Sequence, residues 1–258
     1  MWSEECFFGR NLCSIYSINK TFLPPLSSFL PPHSSLHENL KTKDMKTIIL
    51  DFDGTLGDTR AVIVKTMQQT IAELGLPQRS DAECVATIGL PLHEGFRSLI
   101  PMTEEMGHRC AEVYRRLFDV NNVAGAVPMF PHVRETMEAL YDRGVTLTIA
   151  SSRGRDTLLG FLRDMKLEQY ISRVVAVSDV EHAKPEPDMV LDILRYVGCR
   201  ADEALVVGDT VFDIEMGRRA GTKTCGVTYG NGTRESLAGA DFLIDDFGEL
   251  LIKMKNEE

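Results

Sequence analysis

The stretch Asp51–Thr59, with the sequence DFDGTLGDT, decides the fold. It follows a short apolar run, Thr47–Leu50, which is typical of a buried parallel strand. Asp51 and Asp53 are therefore expected at the carboxyl end of a strand, where open α/β sheets bind their ligands. Because side chains alternate along an extended chain, both carboxylates point to one side. Gly54 then permits a tight turn that brings backbone N–H groups close to an anion.

Within five residues, the two carboxylates could supply a nucleophile and a proton donor beside an anion cradle, the combination that phosphoryl transfer needs. Three further stretches add polar groups to them. Val145–Ser152 (VTLTIASS) predicts a strand that ends in hydroxyl residues. Ala183–Asp188 (AKPEPD) holds an isolated lysine in a proline-rich loop, and Leu205–Ile214 (LVVGDTVFDI) predicts a strand followed by two aspartates. In this order and spacing, the four motifs resemble those of the haloacid dehalogenase-like phosphohydrolases. The resemblance covers the chain from about Met45 to its end.

The resemblance implies a role for each polar residue of the motifs. Asp51 would be the nucleophile that forms an aspartyl-phosphate. Asp53 would protonate the leaving oxygen and then activate water, a division that requires the two carboxyl groups to have unequal environments. Ser151 would donate a hydrogen bond to the phosphoryl group, and Lys184 would offer it a positive charge.

The second acidic motif predicts a metal site. Asp209 follows a strand, and Asp213 lies one helical turn later on the same face. Oxygen ligands combined with a phosphate substrate suit Mg²⁺. By resemblance, Asp51, the backbone carbonyl of Asp53 and Asp209 would bind the ion, and Asp213 would orient these ligands. A plain helix-surface carboxylate is the alternative for Asp213.

Substrate contacts are predicted less directly. The turn that begins at Gly89 and Leu90 resembles a loop that reaches over the active site in phosphoglycolate phosphatase-like members, although an ordinary helix–helix turn is the alternative. Three further candidates are small or hydroxyl-bearing residues of the motifs: Gly54, Thr55 and Ser152. Three cations could bind an acidic leaving group, and a solvated surface position is the alternative for each of them: His93, Arg97 and Arg153.

The periodicity predicts a doubly wound parallel α/β sheet, Rossmann-like, with an inserted all-helical domain. Residues 59–128 are helical throughout, which resembles the family's helical cap of the C1 type. Residues 45–58 and 129–258 alternate strands with helices and would form the catalytic core. Residues 1–44 carry two Pro-Pro pairs, seven serines and no clear periodicity. They predict a disordered N-terminal extension or an upstream extension of the reading frame.

Composition narrows the possible partners and compartment. The net charge of −10 disfavours nonspecific binding to nucleic acid or to an anionic membrane surface. No apolar stretch approaches the roughly 18 residues of a membrane span. Six scattered cysteines without a CxxC pair favour a reducing, cytoplasmic setting. The expected partner is a small phosphorylated metabolite, and the oligomeric state stays open.

The function predicted from these features is a Mg²⁺-dependent phosphatase that acts on a small phosphomonoester, similar to phosphoglycolate phosphatases. Three alternatives stay open: an inorganic pyrophosphatase, a β-phosphoglucomutase-type mutase of the same family, and an inactive binding protein on the same scaffold. The intact acidic motifs argue against the inactive protein. The mutases usually carry a histidine ten positions after the acid/base aspartate. Here that position is Ile63, which argues against a mutase.

Overall fold

The computed structural model describes residues 45–254, and the predicted N-terminal extension lies outside this range. A six-stranded parallel sheet forms its centre, in the order β3-β2-β1-β4-β5-β6. The strands are β1 (Thr47–Leu50), β2 (Thr146–Ser151), β3 (Ile171–Ala176), β4 (Ala204–Gly208), β5 (Lys223–Val227) and β6 (Phe242–Ile244). The strand order reverses between β1 and β4, which is the point where doubly wound sheets bind ligands. The predicted fold class is confirmed.

Helices connect these strands, and the first five of them follow one another between β1 and β2. They are α1 (Arg60–Glu73), α2 (Asp81–Val85), α3 (Leu92–Leu99), α4 (Glu104–Asn121), α5 (Val133–Asp142), α6 (Arg155–Asp164), α7 (Asp188–Val197), α8 (Val211–Ala220) and α9 (Glu249–Lys253). Among the residues the structure describes, no helix is both long enough and apolar enough to cross a membrane.

The central strand β1 is buried on both faces, as its unbroken apolar sequence predicts. Alternation sends Ile48 and Leu50 into one hydrophobic core and Ile49 into a second one on the opposite face. The first core also contains residues of the inserted helices, whereas the second is closed by α7 and α8. Burial on both faces fixes the position at which β1 ends, and therefore the position of Asp51.

The four helices α1–α4, called the cap helices below, pack largely on one another. Tyr114 of α4 makes an edge-to-face contact with Phe96 of α3, with ring centroids 6.1 Å apart, and stacks on Phe118 at 5.7 Å. A reciprocal capping box between Ser80 and Glu83 starts α2. The division of the chain at residues 59 and 128 stays a prediction.

One predicted helix is shorter in the structure. The sequence predicts a helix over residues 80–88, whereas α2 ends at Val85. The chain continues in tight turns, in which the backbone N–H of Thr87 donates to Cys84 and that of Ile88 to Val85. Gly89 then adopts a positive φ of 105°, a conformation that a helix cannot include. The early end of α2 allows this turn to reach the sheet.

Candidate active site

Asp51 and Lys184 meet at the carboxyl end of β1. The backbone N–H of Asp51 donates to the carbonyl of Val207 in β4 at 2.9 Å, so Asp51 continues the sheet ladder. Lys184, from the loop before α7, donates from its Nζ to Asp51 Oδ1 at 2.6 Å. Only 1% of Lys184 and 5% of Asp51 are exposed. The isolated lysine of the third motif thus lies directly against the first aspartate of the first motif.

Asp213 holds the same lysine from the other side. Its Oδ1 accepts a second hydrogen bond from Lys184 Nζ at 2.6 Å. Its Oδ2 accepts from the backbone N–H and the hydroxyl of Thr210, at 3.0 and 2.6 Å, which caps α8. Gly208 leaves the space for this carboxylate, because a Cβ there would overlap the Asp213 side chain. Asp213 is therefore a fully buried residue that fixes Lys184, not a surface carboxylate.

Asp209 is the third buried carboxylate, and three donors orient it. Its Oδ2 accepts from the backbone N–H of Asn231 at 2.6 Å and from the Asn231 amide at 2.9 Å. Its Oδ1 accepts from the hydroxyl of Thr55 at 3.3 Å. Gly54, with φ of 86°, passes so close to Asp209 that any Cβ would overlap it. Gly54 and Thr55, predicted as substrate contacts, thus lie against Asp209.

Asp51, Asp209 and Asp213 form a carboxylate cluster in which one oxygen of each lies within 4.8 Å of the others. Burial, chiefly, raises the pKa of Asp51 to about 7, although Lys184 opposes this. Burial also raises the pKa of Asp209 well above its usual range, and the charges of Asp51 and Asp213 add to this. Burial alone would lower the pKa of Lys184, but Asp213 and Asp51 raise it above its usual value. The ammonium group therefore stays charged.

The charges of the cluster do not cancel among these residues. When all three carboxylates are ionised, one ammonium group faces them and two negative charges are left in a buried site. An uncompensated buried charge is strongly unfavourable. All the ligand atoms offered are hard oxygen donors, which suit a divalent cation such as Mg²⁺. The residues present thus fit a metal ion in both charge and ligand type.

Asp53 lies beside the cluster and is paired with Arg153. Arg153 Nε donates to both carboxylate oxygens of Asp53, at 3.1 and 3.0 Å, and Nη2 donates to Oδ1 at 2.6 Å. The guanidinium carbon also lies 4.9 Å from the ring centroid of Phe118 and 5.0 Å from that of Phe161. Arg153 follows β2 and Phe118 belongs to cap helix α4, so this pair lies between the core and the cap helices.

The end of β2 provides a second contact with the cap helices. Ser151 is buried, and its Oγ accepts from the backbone N–H of Arg153 at 3.3 Å. The hydroxyl of Ser152 donates to the carbonyl of Gly89 at 2.6 Å. A Cβ on Gly89 would lie 3.0 Å from the Thr210 hydroxyl. The turn at Gly89 therefore lies over the carboxyl edge of the sheet.

The other predicted cap contacts lie elsewhere. Arg97 is exposed, and its aliphatic stem runs along Gly107 of α4. His93 stacks on His108 with ring centroids 4.6 Å apart, also at the α3–α4 contact. The backbone N–H of Leu90 donates to Thr87 inside the turn. Among the described residues, no hydrogen bond or ion pair joins these three side chains to the carboxylate cluster.

One site residue that sequence analysis missed is Asn231. Besides holding Asp209, its side-chain carbonyl accepts from Arg60 Nε at 3.0 Å, at the start of α1. Arg60 also donates to the carbonyl of Gly230. A Cβ on Gly230 or Gly232 would overlap Asp209, so only glycines allow this approach. The Gly-Asn-Gly run just after a predicted strand was the available signal.

Comparison with known proteins agrees with this geometry. The family model described as haloacid dehalogenase-like hydrolase matches residues 48–227, more than half of the chain. The chain belongs to this family. Among its hydrolase relatives, the pyrophosphatase PpaX of Anoxybacillus flavithermus is 32% identical over 210 residues, covering 81% of this chain and 96% of the relative. The pyrophosphatase PpaX of Listeria innocua is 32% identical over 222 residues, covering 84% of this chain and all of the relative.

Solved structures place this haloacid dehalogenase-like hydrolase among similar folds. A hydrolase from Pseudomonas syringae superimposes with a TM-score of 0.73 at 27% identity, covering 80% of this chain and 96% of the other. A structure described as a predicted phosphoglycolate phosphatase from Haemophilus somnus gives a TM-score of 0.74 at 22% identity, covering 82% and 99%. The second likeness, at this low identity, concerns the fold alone.

Proposed function

We propose that this hydrolase is a Mg²⁺-dependent phosphatase that cleaves a small phosphomonoester through an aspartyl-phosphate intermediate. The observation that carries the proposal is the ion pair of Lys184 with Asp51 beside the buried carboxylate cluster. This pair supports the proposal because a buried carboxylate oxygen, a fixed positive charge and further hard oxygen atoms lie together at the switch point of the sheet. These are the groups that phosphoryl transfer requires, because positioning and charge stabilisation supply most of its rate enhancement.

The covalent chemistry is assigned to the two aspartates of the first motif. A carboxylate oxygen of Asp51 attacks phosphorus, and the bond from phosphorus to the leaving oxygen breaks while Asp53 gives that oxygen a proton. Asp53 then takes a proton from water, and the resulting hydroxide attacks phosphorus and breaks its bond to Asp51. Inorganic phosphate leaves, and both carboxyl groups return to their starting state.

The remaining site residues bind and orient the phosphoryl group. Ser151 offers a hydroxyl and Lys184 an ammonium charge to the phosphoryl oxygens. Asp51, the backbone carbonyl of Asp53 and Asp209 would hold Mg²⁺, and Asp213 would keep Lys184 in place. When bound, the ion would neutralise charge on the phosphoryl oxygens. Thr55 and Asn231 donate hydrogen bonds to Asp209, which would fix its orientation as a ligand.

Hydrolysis of inorganic pyrophosphate is the second candidate. Two relatives that are 32% identical to this chain are named pyrophosphatases. The same nucleophile and cation would serve, because pyrophosphate differs from a phosphomonoester only in having a phosphate as its leaving group. The two candidates therefore share the carboxylate cluster and differ in the region that receives the leaving group.

A phosphate-release screen with two variants tests the proposal. Substrates are phosphoglycolate, sugar phosphates, nucleotides and pyrophosphate, each with MgCl₂ and with EDTA. We expect Mg²⁺-dependent phosphate release, complete loss of turnover in Asp51→Asn, and a decrease on the order of 10²-fold in Asp53→Asn. Asp202→Asn, which changes an exposed carboxylate, is the control. Substantial activity of Asp51→Asn in EDTA would refute the nucleophile assignment.

A further inference from the structure

We propose that Arg153 determines the substrate class, by binding a carboxylate or phosphate group on the leaving part of the substrate and releasing Asp53 as it does so. This inference rests on the proposed function, since it assumes that Asp53 serves the leaving oxygen. It identifies the class of substrate as one whose leaving group carries its own anionic group.

The first observation is that Arg153 occupies both oxygens of Asp53. Oδ1 accepts from Nε and Nη2, and Oδ2 accepts from Nε, all within 3.1 Å. These three hydrogen bonds use three of the roughly four acceptor positions of the carboxylate, all on one guanidinium. Asp53 is therefore more available to a leaving oxygen when Arg153 turns away, and a second anion in reach of the same guanidinium provides a reason for that exchange.

The second observation is an unused donor on the same guanidinium. Nη1 of Arg153 donates to none of the residues in the described range 45–254. Within residues 45–254, Thr59 Oγ1 is the one side-chain polar atom that is both fully buried and without a hydrogen-bond partner. Because Nη1 of Arg153 has no partner either, it is not fully buried. Guanidinium stays charged at all accessible pH values. An incoming anion would meet Nη1 first.

The third observation concerns which anions fit. Phe118 and Phe161 lie close to the guanidinium, with ring centroids 4.9 and 5.0 Å from its central carbon, and their two rings are perpendicular to each other. They occupy the side of the guanidinium that they contact, and the N–H groups along its edge match planar carboxylates and phosphates in a bidentate manner. Phe118 belongs to a cap helix, so this anion site is complete only when the cap helices contact the core.

The position of Arg153 connects this site to the reacting phosphoryl group. Its backbone N–H donates to Ser151 Oγ at 3.3 Å, two residues before it in the chain. The Arg153 side chain therefore begins next to Ser151, the proposed phosphoryl contact, and its guanidinium reaches Asp53. A small leaving group, with an anionic group only a few bonds from the scissile oxygen, would extend from the phosphoryl group to this guanidinium. Glycolate carboxylate and the second phosphate of pyrophosphate both have that form.

The test measures selectivity between charged and neutral leaving groups. The substrates are phosphoglycolate, pyrophosphate and 2-hydroxyethyl phosphate, in which a neutral CH₂OH group replaces the carboxylate of phosphoglycolate. The full chain with Mg²⁺ is compared with Arg153→Met and Arg153→Lys. Arg200→Met, which removes an exposed arginine paired with Asp202, is the control. Melting temperatures are measured for every variant.

In Arg153→Met, we expect kcat/KM for at least one anionic substrate to fall on the order of 10²-fold, because a charge-assisted bidentate pair is lost. For 2-hydroxyethyl phosphate no decrease is expected, because this substrate offers no anion to Arg153 and the variant leaves Asp53 without the partner that holds it. Arg153→Lys should lie between wild type and Arg153→Met, since a lysine keeps the charge without the planar fork. Loss confined to phosphoglycolate would identify a carboxylate ligand, and loss confined to pyrophosphate a phosphate ligand.

Equal losses on all three substrates would overturn the inference, because Arg153 would then only position Asp53. Faster hydrolysis of the neutral substrate by the wild type would also overturn it. If Arg153→Met does not fold, the same selectivity ratio measured on Arg153→Lys decides. A wild type inactive on all phosphate compounds would instead refute the proposed function, so the two failures are distinguishable.

Discussion

Substitution of Asp209 by asparagine should reverse its effect on stability when Mg²⁺ is added. Without the ion, Asp209 is a buried carboxylate whose pKa is raised by burial and by the charges of Asp51 and Asp213. At neutral pH, the folded protein therefore either bears the repulsion of the ionised form or takes up a proton that the unfolded chain does not bind, and both lower its stability. The amide has nearly the same shape and no charge, so Asp209→Asn removes the repulsion and also removes a ligand of the proposed metal site.

The magnitude follows from the geometry of the cluster. Charges within 4.8 Å of one another repel by about 3 kcal/mol at an effective dielectric constant of about 20. Asp209 faces two carboxylates, and the ammonium of Lys184 offsets one of them. The two hydrogen bonds from Asn231 weaken when they lose a charged acceptor, by about 1 kcal/mol each. Metal-free Asp209→Asn should then be more stable than wild type by about 1 kcal/mol, or about 2–4 °C in Tm.

Mg²⁺ should reverse this order. A ligand at 100 times its Kd stabilises a folded protein by about 3 kcal/mol, which corresponds to a rise in Tm of about 5–10 °C for a chain of this size. Wild type should show this rise and Asp209→Asn little of it. The measurement is thermal unfolding at pH 7.5 in EDTA and in MgCl₂, with Asp202→Asn as the exposed-carboxylate control. Equal Mg²⁺ shifts in wild type and Asp209→Asn, or a less stable variant in EDTA, would refute the reasoning.

Two further predictions concern the cap helices. Gly89→Ala should lower kcat/KM about tenfold, because an alanine at a φ of 105° is strained by about 1–3 kcal/mol and its Cβ would lie 3.0 Å from the Thr210 hydroxyl. Gly125→Ala, also at a positive φ but with no atom near its added Cβ, should leave kcat/KM unchanged in the same steady-state assay. Ile63, at the position where the mutases usually carry a histidine, is apolar and buried in α1. We therefore expect release of inorganic phosphate without interconversion of glucose 1- and 6-phosphates, measured by coupled assay. Isomerisation of β-glucose 1-phosphate that outpaces phosphate release would contradict it.

Sequence patterns were sufficient for the sheet and for the residues at its carboxyl edge. The apolar run Thr47–Leu50 has the bounds predicted for the first strand, because an unbroken apolar run follows directly from burial on both faces. Asp51 and Asp209 come together because β1 and β4 are neighbours, which strand order alone determines. The polar positions nearest to a strand end are thus the most predictable part of the candidate site.

Other features depend on contacts between segments far apart in the chain. The Arg153–Asp53 pair joins residues 100 positions apart, and its orientation is set by aromatic rings from α4 and α6. The contact between Asn231 and Asp209 depends on glycines that permit close backbone approach. Arg97 was selected for its charge alone, and its stem packs on Gly107 instead. No periodicity encodes such side-chain directions.

The contacts of Asn231 have a consequence for the order in which ligands bind. One asparagine holds both Asp209, a proposed ligand of the ion, and Arg60, the first residue of α1. An ion bound by Asp209 would extend this chain of contacts, which already links Asp209 to the first residue of α1, and would add to the order of the base of the cap helices before any phosphate compound arrives. Steady-state kinetics should then follow a compulsory sequence, with Mg²⁺ adding first and the phosphate compound second. The concentration of free Mg²⁺ would in that case control the rate of productive encounters.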